Sequence, residues 1–382
     1  MQLRYGMNPH QDARVVLPKG KPPIQVIRGE PSYINLLDAL NAWRLVLEAS
    51  AATGLPAAAS FKHVSPAGVA VAGPVDAAAQ QTWRIGAAPG QLTAAYVRSR
   101  DADPKSSFGD LIAVSAPVDI EFAEFVAGVV ADGIIAPEYE DGALAILAPK
   151  KQGSFLVLTA DPGYQPPEWE ARDVNGVVLE QQRDNVPLTP DLLTVVSGAA
   201  LPPHAVRDAL LSLATVRYTQ SNSVALVADG AAVGIGAGQQ NRVDCVRLAA
   251  AKAATWWLRR HDHIRDLPAV PGMLRQERLN WQVRMAEGDM TPGQLVEFAT
   301  LFPGTAPYLD PAERNQWLAR LDGVTLSSDG FLPFRDNIDH ASRIGVRYVV
   351  EPGGSSRSGE VAEACAEYGM TLIRTGLRLF HH

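Results

Sequence analysis

The sequence predicts an α/β fold made of a duplicated unit around a largely parallel sheet. Three observations carry this. Short apolar runs alternate with stretches of helical period, the pattern of strands joined by crossover helices. At 382 residues the chain is too long for one ordinary core, so two domains are expected. The halves also echo each other. Ser106-Ser107-Phe108-Gly109 precedes a strand, a helix and a strand ending at Pro137. Ser327-Ser328-Asp329-Gly330 precedes Phe331-Leu332-Pro333-Phe334, a helix and a strand ending at Pro352.

The elements follow in order. Leu3 to Gln11 is polar and turn-rich, an arm before the first packed element. Asn35 can cap a helix that places Leu36, Leu40, Trp43 and Leu47 on one face, with Trp43 in the core. An apolar run, 55–59, feeds a strand into Lys62-His63, and a Ser-Pro-Ala-Gly turn follows at once. A helical stretch over 76–98 comes next, then a turn over 103–110 into a strand at 111–115. Asp119 caps a helix to about 130, and 132–137 is a buried strand. Prolines interrupt 159–203, which reads as a linker and as the boundary between units 1–200 and 201–382. Beyond it lie a helix over 204–216, a strand at 224–227, the glycine-rich 234–238 and a long helix ending near Trp256-Trp257. A helical, Trp-rich insertion occupies 261–323.

Composition narrows the function. A net charge of −7 argues against a nucleic-acid-binding surface, so an anionic ligand must be met by a local basic cluster. Cys245 and Cys365 are far apart and have no metal spacing, which suits a reducing interior. No apolar run is long enough for a membrane span, and the N-terminus lacks a signal-peptide core. A soluble cytoplasmic protein is expected.

Lys62 and His63 are the first candidates for chemistry. Neighbours in a strand point to opposite faces, so the pair can serve one site only where the strand ends. A titratable base beside a cation suits proton transfer, although a surface lysine next to a half-buried histidine is the plainer reading. Gly234, Gly236 and Gly238 invite a dinucleotide fingerprint, but its third glycine position is Gln239 and the fingerprint fails; a tight turn is the plainer explanation. His261 and His263 lack an HExxH or CxxC partner and read as solvent-facing, so no zinc is expected. No G-x-S-x-G elbow occurs. Arg4, Lys150-Lys151 and Arg378 adjoin turns or termini and could together neutralise a phosphate.

Eight blocks taken in order, LRYGMNPHQ, SFKHVSPAGVA, SSFGDLIAVS, DGIIAP, YTQSNSVALV, GIGAGQQNR, SSDGFLPFRDNID and LRLFHH, resemble 5-aminoimidazole-4-carboxamide ribonucleotide (AICAR) transformylase. That is the formyl-transferring part of a bifunctional purine-biosynthesis protein. The resemblance spans Leu3 to His382 and implies tandem cytidine-deaminase-like three-layer α/β/α units. It implies formyl transfer from 10-formyltetrahydrofolate to the 5-amino group of AICAR, with AICAR and folate as ligands of a homodimer whose active site is shared. It also implies a stand-alone transformylase, ring closure to inosine monophosphate being left to another protein. Two other classes stay open. A divergent nucleoside deaminase would need a His/Cys-Cys zinc set that is missing here, and a non-catalytic nucleotide-binding protein would not need the base.

Residue by residue, the resemblance makes Lys62, His63 and Asn222 catalytic. It assigns the nucleotide to Arg4, Tyr5, Gly109, Asp132, Lys151, Phe331, Arg378, Phe380 and His382, with Arg4 and Tyr5 supplied by the partner subunit. It assigns the folate to Phe108, Asn241, Arg242, Asn280, Pro333, Phe334 and Asp336. A structural potassium ion falls to oxygens of Val216, Thr219, Ser221, Ser223, Asp329 and Leu379. Lys105 and Asn241 depart from the family pattern, standing where uncharged and hydroxyl residues are commoner.

Overall fold

Short segments of strand and helix alternate throughout the computed structural model, which describes residues 1–382. After the arm come β1 (Ile24–Arg28) and α1 (Tyr33–Thr53). β2 (Ala57–Lys62) and β3 (Ser65–Val71) form a hairpin, and α2 (Ala77–Trp83) and α3 (Gln91–Ala102) lead to β4 (Asp110–Val114). α4 (Ile120–Ala127), β5 (Ala131–Ala136), α5 (Ala143–Leu147) and β6 (Leu156–Ala160) follow. β7 (Trp169–Val174) and β8 (Val177–Gln182) pair only with each other, and nearly every residue of the two is exposed. Then come β9 (Thr194–Ser197), α6 (Pro203–Arg217), the hairpin β10 (Val224–Ala228) and β11 (Ala231–Gly236), and α7 (Arg242–Leu258). Four helices make the insertion: α8 (Asp262–Arg265), α9 (Arg275–Glu287), α10 (Pro292–Leu301) and α11 (Pro311–Leu318). β12 (Val324–Ser328), α12 (Asp336–Ala341), β13 (Val346–Glu351), α13 (Ser358–Glu367) and β14 (Thr371–Arg374) close the chain.

Twelve strands form one sheet in the order β1-β6-β5-β4-β2-β3-β11-β10-β12-β13-β14-β9. Read outward from the β3–β11 junction, each strand of one set meets its counterpart eight numbers on in the other. The sense of pairing repeats as well: antiparallel at β2–β4 and β10–β12, parallel at β4–β5–β6 and β12–β13–β14, antiparallel at β1–β6 and β9–β14. Topology thus carries the echo heard in the sequence, with one shift of phase. Ser106-Ser107 precedes β4, whereas Ser327-Ser328 ends β12. β9, from the stretch read as the end of the first unit, pairs with β14 of the other set.

The expectation of a largely parallel sheet needs correcting. Seven of the eleven pairings are antiparallel, because each set places a two-residue hairpin at the centre. Helices cover both faces. α1 and α6 share one continuous core on one face, while α3 to α5 and α7, α12 and α13 cover the other in two clusters. The insertion adds its own aromatic core around Trp281, Phe298 and Phe302.

Local signals explain most boundaries. Ser32, not Asn35, caps α1; Asn35 is the third helical residue and completes a reciprocal capping box, while Leu40 faces solvent. Asp119 caps α4, which ends at Ala127, short of 130. The 76–98 stretch is two helices, α2 capped by Asp76 and α3. Gly234 and Gly236 are not a turn; they lie in β11, where α7 packs so closely that a Cβ on either would sit 2.1 Å from a carbonyl oxygen, Ala249 or Cys245. Gly68 on β3 meets Ser99 of α3 in the same way, at 2.0 Å. His261 and His263 are half-buried rather than solvent-facing: His261 Nε2 lies 3.2 Å from Glu313 and its ring packs on Trp317, and His263 bonds to the Ala306 carbonyl. No helix is long and apolar enough to cross a membrane.

The glycine contacts generate a stability prediction. Gly236→Ala should lower the unfolding free energy by about 1–3 kcal/mol through overpacking against α7, read as a lower urea midpoint with an unchanged slope. A midpoint equal to that of wild type would show that α7 can move away freely.

Candidate active site

Register alone brings one group of candidates together. β2 runs antiparallel to β4 with Phe61 opposite Leu111, so the end of β2 meets the start of β4. β5 starts beside them, with Asp110 opposite Ala131, and β6 beside β5. Lys62, His63, Phe108, Gly109, Asp132 and Lys151 therefore share one end of the sheet. It is the carboxyl end of β2 but the amino end of the parallel strands β4, β5 and β6, the reverse of the usual placement in open parallel sheets. Lys62 Nζ donates to the Phe108 carbonyl at 2.6 Å. Lys151 Nζ donates to Asp132 Oδ1 at 2.6 Å, an ion pair with both partners partly exposed. The pro-Cβ position of Gly109 is 3.9 Å from both Lys62 Nζ and Asp132 Oδ1, so a side chain there would touch both cation and carboxylate.

The turn that carries His63 is held in an unusual backbone state. Lys62 pairs with Ser65, leaving His63 and Val64 as a two-residue loop with φ of 55° and 57°. Positive φ at both central positions marks a type I′ hairpin turn, normally filled by Asn, Asp or Gly. Val64 is β-branched and costly there. Val64 N–H donates to Asp38 Oδ1 on α1 at 2.7 Å. Burial pushes the Asp38 carboxyl up, against the pull of the Val64 amide and then of the His63 imidazole and amide; the charge of Asp132 adds to the rise. His63 itself is exposed and its imidazole free to reach a ligand. Sequence reading missed Asp38. Its signal was an acid on the apolar face of a helix, between Leu36 and the buried Ala39, Ala42 and Trp43.

Behind Lys62 lies a buried polar layer that was also missed. Ser60 Oγ donates to Ser107 Oγ at 2.7 Å, next to the Phe108 carbonyl that holds Lys62. Asp110 accepts from Tyr96 at 2.9 Å and pairs with Arg100 at 2.8 Å, and Arg100 also donates to the Val130 carbonyl. These groups fix the 107–110 loop from beneath.

The second group gathers around Asp329, a carboxylate with no solvent exposure. It pairs with Arg242 and accepts from Ser221 Oγ at 2.6 Å and Ser223 N at 3.0 Å, and its carbonyl accepts from Leu379 N at 2.8 Å. Ser223 Oγ lies 3.5 Å from the Val216 carbonyl, which also accepts from Thr219 N. Arg242 further holds Asn222 Oδ1 at 2.9 Å, and Asn222 Nδ2 donates to the Gln239 carbonyl at 3.0 Å. The Ser221–Asn222 peptide bond is cis. The Cys245 thiol, pushed up to about 11 by burial and so protonated, donates to the Asn222 carbonyl at 3.1 Å. Phe380 carries Arg378 at 4.7 Å on its ring, with Arg242 at 5.9 Å and His382 at 6.1 Å. Gln220 N donates to Ser65 Oγ at 3.3 Å, linking this group to the hairpin of Lys62 and His63.

The remaining candidates lie further out or are otherwise engaged. Asn241 caps α7 through Asp244, so its side chain is spent locally. Asn280 on α9 accepts from Gln276, which reaches the Pro104 carbonyl at the start of the Phe108 loop. Phe331 and Phe334 are exposed, Arg357 stacks on Phe334, and Asp336 accepts from Asn337. Arg4 and Tyr5 bond to each other and, through their backbones, to Pro31 and Tyr33. Within one chain no bond joins them to the Lys62 group.

Arg242→Ala should lower the unfolding free energy by roughly 3–5 kcal/mol, because it strands the buried Asp329 charge. Chemical denaturation measures this, and a loss below about 1 kcal/mol, the scale of an exposed pair, would show that Asp329 finds other compensation.

Known proteins match this chain along its whole length. The family described as AICARFT/IMPCHase bienzyme matches residues 1–252. The bifunctional purine biosynthesis protein PurH of Roseobacter denitrificans is 32% identical over 387 residues, and that of Magnetococcus marinus is 31% identical over 390. Each alignment takes in 100% of this chain and 59% of the relative, so the chain spans about three fifths of the length of these proteins. The chain belongs to the AICARFT/IMPCHase bienzyme family.

Proposed function

We propose that the chain transfers a formyl group from 10-formyltetrahydrofolate to the 5-amino group of AICAR, giving formyl-AICAR and tetrahydrofolate in purine biosynthesis. One observation carries the reading: within the matched family region, an exposed imidazole, His63, stands beside Lys62, and Gly109 lies within van der Waals reach of both Lys62 and Asp132, the partner of Lys151. The exocyclic amine of AICAR is conjugated with its ring and carboxamide, so it is a weak nucleophile and needs a base as it attacks. His63 takes that proton as the amine nitrogen bonds to the formyl carbon. Lys62 stabilises the oxyanion of the tetrahedral adduct. Collapse of the adduct breaks the bond to N10 of the folate, which leaves with a proton returned by His63 or Lys62.

Asn222 orients the carboxamide, and Arg242 acts on the reaction by holding Asn222 in place. Gly109, Asp132, Lys151, Phe331, Arg378, Phe380 and His382 bind the nucleotide, with Arg4 and Tyr5 arriving from the partner of a homodimer. Phe108, Arg242, Asn280, Pro333, Phe334 and Asp336 receive the folate, with Asn241 contributing through its backbone because its side chain caps α7. The oxygens of Val216, Thr219, Ser221, Ser223, Asp329 and Leu379 are hard donors drawn from one small region, which suits a potassium ion that would brace the loop bearing Asn222. We read the fold as tandem cytidine-deaminase-like units, 1–200 and 201–382, and the setting as cytoplasmic.

The test is a spectrophotometric assay with AICAR and 10-formyltetrahydrofolate. Wild type should turn over, and His63→Ala should lose about 100-fold or more in kcat, the scale of a lost general base. No turnover in wild type, or full turnover in His63→Ala, would overturn the reading.

A further inference from the structure

The two central hairpins are counterparts in the duplicated sheet, and comparing them isolates what the first has given up. In the second set, Ala228 pairs with Ala231 and the two-residue turn is Asp229-Gly230, with φ of 49° and 75°. Asp-Gly is a favoured filling for a turn of this geometry. In the first set the same turn is His63-Val64: histidine tolerates left-handed backbone better than most residues, but the β-branched Val64 does not. Both turns are held from one helix in one way. Asp38, the sixth residue of α1 (Tyr33–Thr53), accepts from Val64 N at 2.7 Å; Asp208, the sixth residue of α6 (Pro203–Arg217), accepts from Gly230 N at 2.7 Å. Both aspartates are buried.

We propose that Asp38 is a positioning residue for the reaction: its carboxylate clamps the second residue of the hairpin turn and so aims His63 at the nucleotide. This rests on the reading of His63 as the base. The second turn keeps its geometry through residues suited to it, so its clamp only adds stability. The first turn has no such intrinsic preference, and without the clamp its backbone relaxes towards negative φ. That relaxation rotates the peptide units on either side of His63 and carries the imidazole away from the amine. Residues held in sparsely populated backbone regions persist only where the surroundings over-determine them, and Asp38 is the surrounding group that bonds to this turn.

Steady-state kinetics on the full chain with AICAR and 10-formyltetrahydrofolate tests this, with unfolding followed in parallel. Asp38→Ala should lower kcat roughly 10- to 100-fold, the scale of a misplaced catalytic group, with the KM for AICAR changed less than about threefold. Asp38→Asn keeps an acceptor oxygen of the same reach and should stay within about fivefold of wild type. Val64→Gly added to Asp38→Ala should recover about tenfold, because glycine enters positive φ without a clamp. Asp208→Ala should lower the melting temperature as Asp38→Ala does but keep the wild-type kcat. A wild-type kcat in Asp38→Ala, or no recovery in the double variant, overturns the clamp if His63→Ala is inactive. If His63→Ala is fully active, it is the reading of His63 that falls instead. Should Asp38→Ala not fold, Asp38→Glu retains the charge and displaces the acceptor, and an unchanged kcat there also overturns the proposal.

Discussion

One buried carboxylate holds the second half of the site together. Asp329 has no exposure to water, and a charge in that position is tolerable only with a partner and a full set of donors. Arg242 supplies the partner; Ser221 and Ser223 supply donors to the carboxylate, and Leu379 bonds to the carbonyl of the same residue. Four segments distant in sequence therefore meet at one residue: the loop after α6, the start of α7, the end of β12 and the chain's last residues. Asn222 inherits its position from this arrangement through Arg242.

The first half uses a different economy. Its candidate residues sit on a hairpin turn and on loops that enter parallel strands, and the buried layer of Ser60, Ser107, Asp110, Tyr96 and Arg100 supports those loops from below. Left-handed backbone at two ordinary residues costs of order 1–3 kcal/mol each. Strain of that size is affordable in a chain with a core on both faces of a twelve-stranded sheet. The counterpart turn, with Asp229-Gly230, carries far less of it.

Local chemistry made much of this legible in the sequence. The end of β2 at Lys62, the cap at Asp119 and the position of the insertion follow from short-range signals, but the turn expected over Ser65-Pro66-Ala67-Gly68 is the start of β3, and His63-Val64 make the turn instead. The sense of the central strands does not follow from such signals, because His63-Val64 lacks the Asn, Asp or Gly that announces a two-residue hairpin. Asn35 and Ser32 both suit an N-cap, and only the reciprocal bond tells them apart. Gly234 and Gly236 looked like a turn because a glycine's role in close helix approach depends on a partner far along the chain. Asp38 and Asp110 were silent for the same reason: their partners, the Val64 amide and the Arg100 guanidinium, lie on other elements.

Within the sheet the two strand sets join at one residue pair, while α1 and α6 share a core across the join. β3 and β11 pair at Ala70 and Ala231, with the Val71 amide on the Gly230 carbonyl, and Gln220 reaches Ser65 nearby. Lys62 and His63 belong to one side of that seam and Asn222 to the other. The alignment of the two strand sets at that seam therefore sets the spacing between the His63 hairpin and the Asn222 loop. The repeated strand order thus does more than add bulk: it sets two topologically equivalent edges face to face, one carrying an exposed imidazole and the other a buried carboxylate network.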